Sequence, residues 1–217
     1  MDSFQRTAVL RRQVADMLAG LSADQLATKS LCGAWTVRDV GAHLVVPIHV
    51  PLRVFMLEML KARGNFDVAN DRTARATATR LGERIPSVLR EKSERHFAPP
   101  GASPSFQLAD VMIHGQDIRR PLGLTHTYEE EDLREVLDLM TNPSSRREFI
   151  PRRRFDGIRV VATDVRGADG MPWSFGEGPT VEGPAEAIIL AASGRSVALA
   201  DLSGDGVAIL AEHTRRR

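Results

Sequence analysis

Apolar residues recur at helical spacing through most of the first two thirds of the chain. Phe4, Ala8, Val9, Leu10, Val14, Met17 and Leu18 predict an amphipathic helix over about residues 3 to 19, with Gly20 placed to end it. Ser22 to Leu26 starts a short turn or helix. At Trp35-Thr-Val-Arg-Asp39-Val40 the signals of a helix start coincide. Thr36 can cap the N-terminus, Asp39 can answer it three residues on, and Trp35 and Val40 stand at the positions of a hydrophobic staple. Pro47 has no N–H for the carbonyl of His43, and Pro51 repeats the defect one turn later, so a kink or break is expected just past His43. Periodicity resumes through Leu52, Phe55, Met56, Met59 and Leu60. Ala74, Ala78, Leu81, Ile85, Val88 and Leu89 then predict a helix over about 71 to 96, with Pro86 inside it.

After the loop at Ala98 to Pro104, a further helix carries Leu108, Val111, Met112, Gly115 and Ile118 on or near an apolar stripe and stops near Gly123. Asp110, His114 and Asp117 follow at i, i+4 and i+7, a polar line on a neighbouring face. Tyr128 to Met140 is helical again and acidic at its start, as the helix dipole favours. The substantial helices and their short connections predict an antiparallel four-helix bundle.

From Thr141 the character changes. Asn142-Pro-Ser-Ser and five arginines up to Arg154 predict a domain boundary, with a bundle over 1–142 and a small α/β domain over 143–217. Ile158 to Thr163 and Trp173 to Phe175 are strand-like on either side of a Gly167-Ala-Asp-Gly170 turn. Gly183-Pro184 opens a helix through Ile188, Ile189 and Leu190, and Val197–Leu199 and Val207–Leu210 are expected as two further short strands. The fold class is therefore α+β.

Composition narrows the function. Charged residues make up 26% of the 217, with a formal net charge of +1, which is no electrostatic footprint for nucleic acid. The arginine-rich stretch with Arg146, Arg147, Arg152, Arg153 and Arg154, interleaved by the single aromatic Phe149, and the tail Arg215 to Arg217 are expected to be solvated. No apolar run reaches the ~18 residues of a membrane span. The opening Met-Asp-Ser-Phe-Gln-Arg is unlike a secretory signal, and a single cysteine, Cys32, allows no internal disulfide, so a cytoplasmic location is expected.

In a bundle, His43 on one helix can face the Asp110–His114 line on another. Two imidazoles and one carboxylate with a position left open form the ligand set of a catalytic divalent metal. Zinc suits it, and iron or nickel would also fit. Asp117 would orient an imidazole or a water. Arg119, Arg120 and Arg53 are candidates for gripping carboxylates, although each taken alone reads as a solvated surface arginine. Cys32 has no histidine near it in sequence and is expected to be a small buried residue rather than a nucleophile. His49, His96, His126 and His213 show no partner pattern, and Trp173 is expected in a core.

Cys32-Gly-Ala-Trp35-Thr-Val-Arg-Asp39-Val-Gly-Ala-His43-Leu, with Asp110-Val-Met-Ile-His114-Gly-Gln-Asp117-Ile-Arg-Arg-Pro-Leu-Gly123 later, resembles the mycothiol-dependent maleylpyruvate isomerase family of DinB-like metal-binding bundles. Gly157 to Asp164, Trp173 to Gly178 and Gly183 to Glu186 are similar to the second domain of many members. The resemblance implies a DinB-like four-helix bundle followed by a small α/β domain. It also implies a divalent metal, usually zinc, held by His43, His114 and Asp110, the last standing where the isomerase has Glu. Mycothiol would be the thiol cosubstrate, with its metal-bound thiolate as nucleophile in a cis–trans isomerase or a thiol S-transferase. Asp117, Arg119 and Arg120 would then serve the reaction, and Arg53 the bound thiol. The expected partners are a small-molecule substrate and the thiol, with the protein a monomer or homodimer and no nucleic acid or membrane involved. The competing expectation is a non-catalytic protein whose bundle binds a metal or small molecule.

Overall fold

The computed structural model describes residues 1–97, 103–143 and 154–215. Their contacts define two compact units, Met1–Pro99 with Gln107–His126, and Pro100–Phe106 with Thr127–Arg217. The arginine-rich stretch expected as a linker lies mostly outside the described residues, as do most of the 98–104 loop and the last two residues.

The first unit is helical: α1 (Ser3–Ala19), α2 (Ala23–Ala27), α3 (Val37–His49), α4 (Leu52–Lys61), α5 (Phe66–Leu81), α6 (Ile85–Glu91) and α7 (Ser105–Arg119). Capping boxes start α1, α2 and α3: Asp2 with Gln5, Ser22 with Gln25, and Thr36 with Asp39. At α3 the Asp39 N–H donates to Thr36 Oγ1 at 3.2 Å, and the Thr36 N–H donates back to Asp39 Oδ2 at 2.9 Å. α3 packs on α5 and α6, and α1 on α6. Leu10, Val14, Leu18, Val40, Leu44, Ile48, Ile85, Leu89, Leu108 and Met112 are all buried.

Pro47 does not break α3, which continues to His49; losing one backbone bond is tolerated where Leu44, Val45 and Ile48 around it are buried. The turn comes at Val50–Pro51, where α3 and α4 meet at 119°. The helix expected over 71 to 96 is two helices, parted at Gly82 with φ 52°, a left-handed conformation few other residues adopt cheaply. α4 buries none of its residues; Leu52, Met56, Leu57 and Leu60 are exposed. Among the described residues no single helix is long and apolar enough to cross a membrane.

The second unit holds α8 (Glu130–Thr141), β1 (Arg159–Arg166), β2 (Pro172–Phe175), β3 (Thr180–Gly183), α9 (Ala185–Ala192) and α10 (Val207–Arg215). The sheet order is β2–β1–β3, antiparallel between β1 and β2 and parallel between β1 and β3. Val160 pairs with Phe175 on one side and Val181 on the other, and α8 and α9 both pack on β1. By contacts, α8 therefore groups with this unit, while the expected boundary after residue 142 placed it in the bundle.

Two strand expectations are corrected. Val197–Leu199 lies in a 3-10 turn over Ser196–Asp201, and Val207–Leu210 begins α10. A short apolar run does not distinguish strand from helix by its composition. Here Leu210 and Thr214, one helical turn apart, are the buried pair, and the Leu210 N–H donates to Gly206 O at 3.0 Å. The sheet is completed instead by β3, a Thr-Val-Glu-Gly segment with only Val181 to mark it.

Candidate metal centre

The capping box sets the start of α3, and from there the helical period carries His43 to the face opposite α7. His43 Nε2 stands 3.7 Å from Asp110 Oδ1, and His114 Nε2 3.5 Å from the same oxygen. The two imidazoles meet edge to face with centroids 4.6 Å apart. One ligand atom from each of the three residues lies within 4.8 Å of the others. A tetrahedral zinc site with bonds of ~2.0–2.1 Å has ligand atoms ~3.3 Å apart, and the 3.7 and 3.5 Å separations to Asp110 Oδ1 lie within a few tenths of an ångström of that. The two imidazoles are 13% exposed and Asp110 19%, leaving the set reachable from solvent. The donor types and their spacing fit a divalent metal.

Asp117 is fully buried, and its Oδ2 lies 2.8 Å from His114 Nδ1, so it fixes the ring with Nε2 directed to Asp110. His43 Nδ1 is buried and has no such partner among the described residues. Trp35 also lies against the His43 ring, with centroids 5.1 Å apart, and reaches His114 at 6.4 Å. The Trp35 indole N–H donates to Asp71 Oδ1 at 2.7 Å, and Arg75 meets the same carboxylate at 2.9 Å. Burial pushes the Asp71 carboxyl up, but the hydrogen bonds from Trp35 and Arg75 outweigh it and hold it below its ordinary value.

Asp110 behaves similarly. Burial acts to raise its pKa, while the facing His43, the His114 charge and Arg11 together bring it below the usual carboxylate value. Sequence reasoning missed Arg11. It is 3% exposed on α1, and it donates to the carbonyls of Ser93 and Arg95 and to Gln107 Oε1 on α7. Burial lowers its pKa to about 10, with Asp110 opposing the fall. The only sequence signal for it was an arginine amid the apolar positions of α1.

The three arginines expected at the site separate. Arg119 is buried, not a solvated surface residue, and its charge helps burial lower the His126 pKa. Arg120 begins a 3-10 turn at Arg120–Leu122, and Arg53 is exposed in the first turn of α4. No described contact joins Arg53 to the histidines. Cys32, expected to be buried, is half-exposed, and the fold brings to it the histidine that the sequence did not: Cys32, His114 and Asp117 form a second convergent group.

A helical bundle presenting a His–Asp–His set, with a small α/β unit after it, defines a class of candidate metal-binding proteins. Residues 7–119 match the family described as mycothiol maleylpyruvate isomerase N-terminal domain, and the chain belongs to that family. Its fold is similar to the crystal structure of the mycothiol-dependent maleylpyruvate isomerase, with a TM-score of 0.51 and 15% identity over 94% of this chain and 93% of that one. No curated protein matches it.

Proposed function

We propose that this chain is a metal-dependent, thiol-using enzyme, a cis–trans isomerase or thiol S-transferase with mycothiol as cosubstrate. The observation that carries the reading is the convergence of His43, Asp110 and His114. These three would hold the metal, with zinc, the usual ion of the family resembled, the first candidate. When bound, such an ion supplies Lewis acidity that lowers the pKa of a thiol at its open position. Asp117 holds the Nδ1 proton of His114 and so keeps Nε2 as the donor atom. Trp35, itself buried, lies against the His43 ring. Arg119 and Arg120 follow Asp117 on the chain and are the candidates for a substrate carboxylate, and Arg53 for the thiol. A cytoplasmic setting, where Cys32 stays reduced, belongs to the same reading.

The test is metal content by plasma mass spectrometry of the purified wild type beside His43→Ala and His114→Ala. Near one equivalent in the wild type, lost in both variants, supports the site and justifies screening thiol-dependent isomerisation and transfer. A wild type that retains no zinc after loading and washing overturns the reading. If bound metal raises stability without any thiol-dependent turnover, the protein is a non-catalytic metal binder.

A further inference from the structure

His114 belongs to two ligand sets. One edge of its ring faces Asp110 through Nε2. At the other edge Nδ1 meets Asp117 Oδ2 at 2.8 Å, and one ligand atom each from Cys32, His114 and Asp117 lies within 4.8 Å of the others. The cysteine is held there by its own turn. The Leu31 N–H donates to the backbone carbonyl of Asp117 at 3.2 Å, pinning the residue before Cys32 to the residue that completes the cluster. The Cys32 N–H donates to Ser30 Oγ at 3.1 Å, and the Trp35 N–H closes the turn on Cys32 O at 3.1 Å. Gly33, with φ 57°, allows that turn. Cys32 is half-exposed, so an ion can approach from its side, whereas Asp117 is fully buried.

We propose that Cys32, His114 and Asp117 form a second metal position, selective for soft, strongly thiophilic divalent cations such as cadmium over zinc. A thiolate, an imidazole nitrogen and a carboxylate oxygen are a soft-biased donor set, unlike the harder His–Asp–His set beside it. Bonds of ~2.0–2.3 Å to such donors require ligand atoms ~3.3–3.6 Å apart, so the 2.8 Å His114–Asp117 pair opens by about half an ångström on binding, while all three ligand atoms already lie within 4.8 Å of one another. Binding displaces the Cys32 thiol proton to solvent, while the proton held between His114 Nδ1 and Asp117 is lost from Nδ1 and regained at Nε2, so the ring stays a neutral imidazole with Nδ1 on the ion. The ion therefore replaces the hydrogen bond that orients His114 for the first set, so occupation of the second position weakens the first. Neither His43 nor Asp110 takes part, which keeps this site separable from the proposed catalytic one.

Cadmium titration of the reduced protein tests this, because thiolate-to-cadmium charge-transfer absorbance reports sulfur ligation and Cys32 is the one cysteine in the chain. The wild type and His43→Ala are expected to show the band at the same cadmium concentrations, and Cys32→Ser to lack it. His114→Ala and the near-isosteric Asp117→Asn are expected to shift it to about tenfold higher cadmium or more. Should His114→Ala not fold, Asp117→Asn carries the comparison. No band in the wild type overturns the proposal. So does a band unshifted in the folded His114 and Asp117 variants, since cadmium would then be held by an isolated thiol. A wild type that retains no zinc after loading, with the cadmium band intact in it and in His43→Ala, would remove the catalytic reading and leave this site standing.

Discussion

Replacing Asp117 isolates the support that His114 receives as a ligand. The carboxylate is fully buried, and its Oδ2 lies 2.8 Å from His114 Nδ1, so the bond is short, shielded from solvent and strengthened by the aspartate charge. Removing the partner behind a metal-ligating histidine typically weakens metal binding about 10–100-fold, or about 1.4–2.7 kcal/mol. Asp117→Asn keeps an acceptor oxygen in place, so the ring stays aligned and only the charge is lost; about tenfold weaker zinc binding is expected. Asp117→Ala removes the acceptor as well and leaves a void, which puts it near the upper end of that range. Competition against a chromophoric zinc chelator, in a Cys32→Ser background so that only the first ligand set is read, gives the dissociation constants. Far-ultraviolet circular dichroism checks that the variants fold. If both bind zinc within a factor of about two of the parent, Asp117 does not orient a ligand and the His114 edge of the site is misassigned.

Three further outcomes test the fold around the site. Thr36→Ala removes the side-chain oxygen that accepts from the Asp39 N–H, and should cost about 1 kcal/mol in urea unfolding; an unchanged midpoint would show that the capping box contributes nothing. Gly204→Ala places a methyl group against the Thr180 carbonyl at φ 101° and should cost roughly 2 kcal/mol or more, read as a lower melting temperature. Burial, then the charges of Lys92, Arg80 and Arg84, lower the His49 pKa in the folded state. The unfolded chain therefore takes up the proton first, so stability present above the ordinary histidine pKa is lost as pH falls through it towards the folded value. Denaturant unfolding in steps between about pH 7 and 5 should show that decline flattened in His49→Gln, and an equal slope in both proteins refutes the assignment.

Much of this molecule was legible without coordinates because its decisive signals are local. Thr36 and Asp39 cap α3 through groups three residues apart, so sequence alone located that helix start and the phase that carries His43. The spacing of Asp110, His114 and Asp117 likewise follows from the period of one helix, and the family resemblance rests on those same two stretches. Other features depended on partners distant in sequence. The apolar run from Val207 suits strand or helix, and its helical outcome follows from burial of Leu210 and Thr214. β3 exists because β1 offers it a parallel edge, and α8 groups with the second unit because its apolar face finds β1 and α9. The burial of Arg11 and Arg119, and the meeting of Cys32 with His114, are also tertiary outcomes. Spacing within one element is set by backbone geometry, so sequence determined which side chains each helix could present. Which of those faces meet is set by packing across the whole chain, and only the folded structure decided that His43 and Cys32 stand at opposite edges of the same histidine.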